Sequence, residues 1–442
     1  MARAKKEAAL TPEERLQAAL VPDWERPYKL PENWCWTYLT KAAECLDNFR
    51  KPINATERAG RNGNVPYYGA TGQVGWIDDF LTDEDLVLLG EDGAPFLDLI
   101  KDKAYLITGK AWVNNHAHIL RSLFGDTGNR YLLHYLNSFN YAGYVNGTTR
   151  LKLTQASMDT IPIPLPPLAE QQRIVDRIES LFAKLDEAKE KAQAVVDSFE
   201  TRKAAILHKA LTGELTKKWR KSANTRWVYK KIKDCCKLGS GGTPSRKVPD
   251  FYKGDIPWIK TGEIEWNDIY DTEEKITQSA IDNSSARCYK PGVVLVAMYG
   301  MGVTRGKASI LRVQAATNQA VCVLEPQSAL LYNRYLLYYF MRNYWDIREK
   351  AVGGNQLNLS LTIIKELNIE IPPIDEQMEI VQILDDLFAK EQQAKESAEV
   401  VLDQIDLMKK SILARAFRGE LGTNDPSEES ALELLKRVLE SK

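Results

Sequence analysis

Several stretches of this 442-residue chain hold side chains whose types and spacing invite a chemical reading. The run MYGMGVTRGKAS (298–309) looks at first like a phosphate loop. A Walker-type loop needs four residues between its first glycine and Gly-Lys, then a hydroxyl that holds Mg²⁺. Gly302 and Gly306 enclose only three residues and Ala308 stands where the hydroxyl belongs, so the run does not read as a nucleotide site. In NNHAHIL (114–120), His116 and His118 share a face if the run is a strand. They have no cysteine or carboxylate beside them, and two imidazoles alone make a poor zinc site. Asp268 with Glu273-Glu274-Lys275 has a nuclease-like look, but in a chain with 60 acidic residues such spacings arise by chance. The Asn/Asp-Pro-Pro-Tyr/Phe tetrapeptide of adenine methyltransferases does not occur in the sequence. The expectation is a protein that is not an enzyme and holds no metal.

What remains is chemistry suited to nucleic acid. GSGGTPSRK (239–247) joins a flexible backbone to Ser240, Thr243 and Ser245 and to the cations Arg246 and Lys247. Hydroxyls and amides suit phosphate oxygens, and an arginine can reach a guanine edge. FRKPINATERAGRN (49–62), with Lys51, Arg58 and Arg61, is the matching basic stretch earlier in the chain. Arg305 and Lys307 are expected on a basic turn facing a DNA backbone, with a plain solvated turn as the alternative. TNQAVCVL (317–324) aligns with NNHAHIL so that Asn318 faces Asn115 and Gln319 takes the place of His116. Glutamine can bond adenine at two atoms, and histidine can donate to guanine. Tyr68, Thr71, Thr149, Arg150, Lys260 and Gln356 complete the candidate DNA contacts. The run from Asp78 to Asp98 has eight carboxylates and no Lys or Arg, and is expected away from a duplex.

These residues are positioned by a frame that occurs twice. Shifting the chain by 206 residues aligns 166–215 with 372–421 without a gap, and 23 of the 50 pairs are identical. Each copy begins with a double proline, contains no later Gly or Pro until Gly213 or Gly419, and closes on Gly-Glu-Leu. A helix of about 44 residues and 66 Å is predicted from each. Ile174, Ile178, Leu181, Leu185, Ala188, Ala192, Val195, Phe199 and Ile206 alternate spacings of four and three, with Arg202 the one break. Ile380, Leu384, Leu387, Ala394, Ala398, Val401, Ile405, Met408 and Ile412 keep the same phase, with Glu391 the exception. A seam of this period predicts that the two helices pair.

Between the helices lie two segments that differ strongly at first and then echo each other, NRYLLHYL (129–136) against NRYLLYYF (333–340). Short β-rich runs such as VVLVAMYG point to mixed α/β globules. Thr11 and Glu14 form a capping box ahead of a short helix in TPEERLQAAL (11–20), and DPSEESALELLKRVLE (425–440) reads as another. The predicted order is an N-terminal helical segment (1–25), a first globule (26–165), a central helix (166–221), a second globule (222–371), a distal helix (372–424) and a C-terminal helix (425–442). The fold class is α/β (α+β), with two globules joined by two long paired helices in pseudo-twofold arrangement.

Taken together, PLPPLAEQQRIV…LFAKLD, IPPIDEQMEIV…LFAK, their Gly-Glu-Leu ends, GSGGTPS…GDIPWIKTGEI and YYGATGQVGW (67–76) resemble the specificity subunit of type I restriction–modification enzymes. The resemblance covers nearly the whole chain. It implies that each globule is a target-recognition domain reading half of a bipartite DNA sequence. It also implies that the two long helices pack as an antiparallel coiled coil, act as a ruler and dock two methyltransferase subunits, with restriction subunits joining them. S-adenosylmethionine, ATP and Mg²⁺ would then sit in those partners, and this chain would bind no cofactor directly. Alternatives are the specificity subunit of a related fused nuclease–methylase system and a coiled-coil scaffold that binds proteins rather than DNA.

Charge and cysteine usage fit an intracellular protein. The formal net charge is −1; residues 226–370 carry 20 Lys+Arg against 15 Asp+Glu, and residues 26–160 carry 14 against 15. Neither globule is strongly basic, so weak DNA binding by the isolated chain is expected, with partners closing the duplex. Six cysteines without a CxxC pair suggest reduced thiols and a cytoplasmic location. No apolar run approaches the length of a membrane span, and Met1–Lys6 lacks the apolar core of a signal peptide.

Overall fold

The double prolines Pro166-Pro167 and Pro372-Pro373 separate a strand from a helix in both copies. Pro162–Leu165 runs antiparallel to Cys35–Tyr38, and Asn368–Ile371 antiparallel to Val228–Lys231. Single prolines fit a two-stranded ladder, as Pro162 and Pro164 do, but two in succession leave adjacent nitrogens with no hydrogen to donate, so the strand stops and the helix begins. The structure is a computed structural model that describes residues 11–223, 226–300, 302–351 and 358–441. It comprises two compact units, one drawn from residues 1–193 and 399–442, the other from 194–398. Each unit holds one mixed α/β globule and a share of both long helices.

The second long helix runs unbroken over Ile374–Phe417, 44 residues as predicted. The first does not. It divides into Leu168–Asp197 and Phe199–Leu211 at Ser198. The Ser198 hydroxyl donates back to the Ala194 carbonyl and accepts from the Arg202 guanidinium, which also reaches the Val195 carbonyl at 3.1 Å. Side-chain bonds of this kind compete with the helical ladder and bend it. The matching residue in the second copy is Gln404, too long to bond back in that way. Both copies end as expected. Gly213 and Gly419 take φ of 73° and 74°, and the amides that follow them bond back to Lys209 and Arg415 at 2.9 and 2.8 Å.

Within each unit the two helices pack side by side. Ile174, Ile178, Phe199, Ile380, Leu384 and Ile405 are buried, while Leu181, Leu185, Val195, Ile206, Leu387 and Ile412 are half-buried. Val401 departs from the predicted seam, being 39% exposed, and Met408 is 48% exposed. A straight helix repeats every 3.6 residues rather than 3.5, so the apolar stripe drifts and Leu402 and Leu413 turn inward. The two breaks in the seam find each other: Arg202 Nε lies 2.7 Å from the Glu391 carboxylate. Lys203 over the Phe388 ring and Lys409 over the Phe182 ring, at 5.3 and 5.0 Å, occupy matching places in the two units.

Each helix start is also tied to the segment that follows the other helix. Glu376, with no exposed surface, accepts from Thr216 Oγ1 at 2.8 Å and from Arg220 Nε and Trp227 Nε1 at 2.9 Å. Glu170, equally buried, accepts from Thr423 Oγ1 at 2.7 Å and Arg173 Nη2 at 2.9 Å, and Arg173 is gripped in turn by Glu428. The neighbouring glutamines donate to the proline carbonyls behind them, Gln171 to Pro166 and Gln377 to Pro372. The NRYLL echo has the same purpose. Tyr131 donates to the Pro164 carbonyl and Tyr335 to that of Glu370, at 2.6 and 2.8 Å. In the first unit the capped helix Pro12–Ala19 meets Ala431–Glu440 around Ala19, Leu165, Ala431 and Leu435.

Replacing Glu376 by Ala strands three donors, two of them on Arg220 and Trp227, and should cost about 3–5 kcal/mol in urea unfolding. A loss below about 1 kcal/mol would refute this anchor. The seam pair predicts a sign change. Glu391→Leu alone, which leaves Arg202 facing apolar surface, should lose about 1–3 kcal/mol. Combining it with Arg202→Met gives each site the residue type of the other repeat, Leu185 and Met408, and should restore or exceed the original stability. A double variant less stable than either single one would sink that idea.

Candidate nucleic-acid interface

In the first unit the candidate cations gather on a four-stranded sheet ordered Gly72–Ile77, Val65–Gly69, Lys110–Val113, Thr82–Asp83. The first two strands form a hairpin whose tip carries exposed Thr71. Val65–Gly69 runs parallel to Lys110–Val113, setting Tyr67 against Trp112. Arg61 lies 4.7 Å and Lys51 5.7 Å over the Trp112 ring, and Arg58 4.8 Å over Tyr67. Arg61 also holds Asp78 at 2.6 Å. Half-buried Tyr68 stacks near Tyr105, with ring centres 5.8 Å apart.

His116 and His118 do not share a strand face. His116 sits in the turn before the strand Ala117–Ser122, with Nδ1 2.7 Å from Asp92, which also binds Arg150 at 2.8 Å. Thr149, the neighbour of Arg150, is exposed. His118 is buried between Asp47 Oδ2 at 2.7 Å and the Leu153 carbonyl at 2.9 Å. Asp47, Glu91 and His118 stand close enough together to suggest a cation site. The Arg50 guanidinium, ion-paired to Asp47 at 2.9 Å and to Glu91, already occupies that role, and Lys152 adds a contact to Glu91 at 3.0 Å. Burial pushes both carboxyls up. His118, the Ile119 amide and Arg50 outweigh it at Asp47, as Arg50 and Lys152 do at Glu91, so both stay below the usual carboxylate range.

The acidic run is therefore not set apart from the candidate contacts. Asp78 pairs with Arg61, Glu84 with Arg121, Glu91 with Arg50 and Lys152, and Asp92 with Arg150. Four of its eight carboxylates thus stand against cations at least 17 residues away, while Asp98 pairs locally with Lys101 at 3.7 Å.

The second unit builds the same platform from other residues. Its sheet runs Lys275–Ile276, Ile256–Ile259, Ala315–Thr317, Cys288–Tyr289, with Trp258 parallel to Ala316. A Cβ on Gly241 would lie 1.7 Å from the Thr317 carbonyl oxygen, so only glycine lets the 239–247 loop cross there. The loop is then pinned: Gly242 N donates to Thr317 O at 2.9 Å, and Trp258 Nε1 donates to Gly242 O at 3.0 Å. Tyr252 donates to Pro244 O at 2.7 Å, and Tyr289 to Ser240 O at 2.8 Å. Arg246 lies 4.1 Å over Tyr252 and 5.3 Å over Trp258, 2.7 Å from Glu274. Lys260 binds the other oxygen of Glu274 at 3.0 Å. Thr243 donates to Gln319, while Ser245 and Lys247 are exposed.

Three expectations change here. Asn318 matches Asn114, not Asn115. Both bond the parallel strand through their amides (Asn114 to Tyr68, Asn318 to Ile259), and both accept the amide two residues on. Gln319 therefore corresponds to Asn115, and the one-residue slip came from aligning side-chain types across a turn. Lys307 is not presented for a backbone contact; its side chain is 12% exposed and paired with Glu265. Arg348 donates to the Arg305 and Gly302 carbonyls at 2.6 Å, folding that turn onto Tyr344. Gln356 lies outside the described residues. Sequence reasoning missed the aromatic floors, Tyr67, Trp112, Tyr252 and Trp258, and the carboxylates Asp78 and Glu274. An arginine and an aromatic strand residue recurring in both globules was the available signal. A groove of about 840 Å³ in the first unit, beside Tyr28, Phe182 and Phe417, holds none of the candidate contacts.

The description "Type I restriction modification DNA specificity domain" belongs to a family model that matches residues 45–196 and 224–400. A Haemophilus influenzae protein named as a type I restriction enzyme specificity subunit is 29% identical over 359 residues, 79% of this chain and 86% of its own. The EcoDI specificity subunit of Escherichia coli is 22% identical over 421 residues, 89% of this chain and 90% of its own. The crystal structure of the HsdS subunit from Thermoanaerobacter tengcongensis shares the fold, with a TM-score of 0.59 at 18% identity over 90% of this chain and all of that one.

The depressed carboxyls around Arg50 set a pH dependence. Asp47 and Glu91 bind protons less readily folded than unfolded, so their stabilisation is complete above about pH 5, past the unfolded values, and is lost as pH falls through the folded ones. Asp47→Asn should lower the urea midpoint at pH 7 and flatten its decline below about pH 5. An acid limb as steep as the parent's would contradict the assignment.

Proposed function

Because this chain belongs to the type I restriction–modification DNA specificity family, we propose that its two aromatic-and-arginine platforms each read one half of a bipartite duplex target. The chain is a type I specificity subunit with two target-recognition domains. The observation that carries the reading is the duplicated platform: one scaffold, the same main-chain contacts at Asn114 and Asn318, and different side chains for the bases to meet. Stacked arginines and exposed hydroxyls suit base edges and phosphates.

In this reading the subunit does no chemistry. It docks two methyltransferase subunits, and restriction subunits through them, along its long helices. Those partners hold S-adenosylmethionine, ATP and Mg²⁺, and this chain binds none of them. Its place of action is the cytoplasm, in keeping with a chain in which no described helix is long and apolar enough to cross a membrane. The near-neutral charge supports weak binding by the free subunit, since most duplex affinity comes from phosphate neutralisation.

The test is reconstitution with cognate methyltransferase subunits, followed by mapping of modified adenines and titration of duplex binding against salt. Two specific blocks separated by an unspecified spacer, with affinity falling linearly in log salt, are expected. A single continuous motif, or no duplex binding by the assembled complex, would overturn the reading in favour of a protein scaffold.

A further inference from the structure

The ion pair between Arg246 and Glu274 is unsuited to holding a DNA backbone. A phosphate clamp gains from bare positive charge, whereas here one carboxylate is shared by Arg246 at 2.7 Å and Lys260 at 3.0 Å. Any phosphate that reached the guanidinium would also meet Glu274, at a separation where like charges repel. The guanidinium is instead oriented. It rests on the rings of Tyr252 and Trp258, each fixed to the loop backbone by its own hydrogen bond. Orientation matters little to a phosphate and much to a base edge, which must be met at two atoms in one plane.

Glu274 supplies the second half of a pattern. Its carboxylate, 30% exposed, lies 2.7 Å from Arg246 and accepts from Lys260 at 3.0 Å. An acceptor therefore stands beside a guanidinium with further donors to give. The major-groove edge of a G·C pair offers the complement: N7 and O6 acceptors on guanine, then the N4 amino donor on cytosine. The terminal torsion of a glutamate is soft, so its carboxylate can turn toward a base without moving the backbone. The same grouping recurs in the first unit, where Arg61 lies over Trp112 and grips Asp78 at 2.6 Å.

We infer that Arg246 and Glu274 together read one G·C base pair in the half-site of the second unit, Arg246 donating to guanine N7 and O6 and Glu274 accepting from cytosine N4. This rests on the DNA-recognition reading above. Glu274 is then a specificity-determining residue that lowers affinity for every duplex while favouring the right one.

The assembled complex, carrying Glu274→Gln or Arg246→Lys in the full chain, tests this by methylation mapping and by binding to non-specific duplex. Both variants should relax one G·C position by about tenfold to a hundredfold and leave every other position of both half-sites unchanged. Glu274→Gln should at the same time bind non-specific duplex more tightly than the parent, which a merely structural role for Glu274 would not produce. A retained G·C preference in both variants, or equal loss at all positions, overturns the inference while leaving the bipartite reading intact. Failure of the unaltered complex to modify any bipartite site would instead remove the reading beneath it. Arg246→Lys keeps the charge and the approximate bulk, so it decides the matter should Glu274→Gln fail to fold.

Discussion

Two carboxylates with no access to water, Glu170 and Glu376, are the fixed points of this protein. Stripping water from a carboxylate costs several kcal/mol unless donors replace the lost hydration. At Glu376 those donors are Thr216, Arg220 and Trp227; at Glu170 they are Thr423 and Arg173. Every one of the three donors to Glu376 lies beyond the end of the first helix, and Thr423 lies beyond the end of the second. A carboxylate at the start of one helix is thus satisfied only when the other helix has ended in the right place. The requirement couples helix length, the left-handed glycine and the return of the chain into a single constraint in each unit.

The two aromatic platforms inherit that constraint. The strand that precedes each double proline is held by tyrosines from the NRYLL helix, and this helix packs on the globule's core. From there the parallel strand pair places Tyr67 and Trp258 at matching points, and arginines cover both. The frame thus sets where a stacked cation stands, while the loops decide which cation and which carboxylate stand there.

What could be read from the sequence was local or repeated. The capping box at Thr11, the glycine terminators and the 206-residue repeat depend on neighbours or on self-comparison, and they stand as expected. The break at Ser198 was not foreseen, because a helix was expected to run through it and its bond to Arg202 became visible with three-dimensional placement. Arg202 and Glu391 both showed as faults in the seam, but nothing in periodicity says that two faults 189 residues apart should meet. The ion pairs of the acidic run were hidden for the same reason, because pairs such as Arg61 and Asp78, which flank the two strands of a hairpin, are set by how those strands pair rather than by spacing. His116 and His118 were misplaced because a turn interrupts the alternation that a strand would have kept.

The tyrosines that hold the strand before each double proline, Tyr131, Tyr135, Tyr335 and Tyr339, bond main-chain carbonyls, those of Pro164 and Glu370 among them. A carbonyl is the same whichever residue bears it, so this brace is blind to the sequence it supports. Substitutions along that strand leave the brace intact, provided the strand keeps its length. The side chains of that strand are in this sense free to change, because the hydroxyls that hold it meet only its backbone.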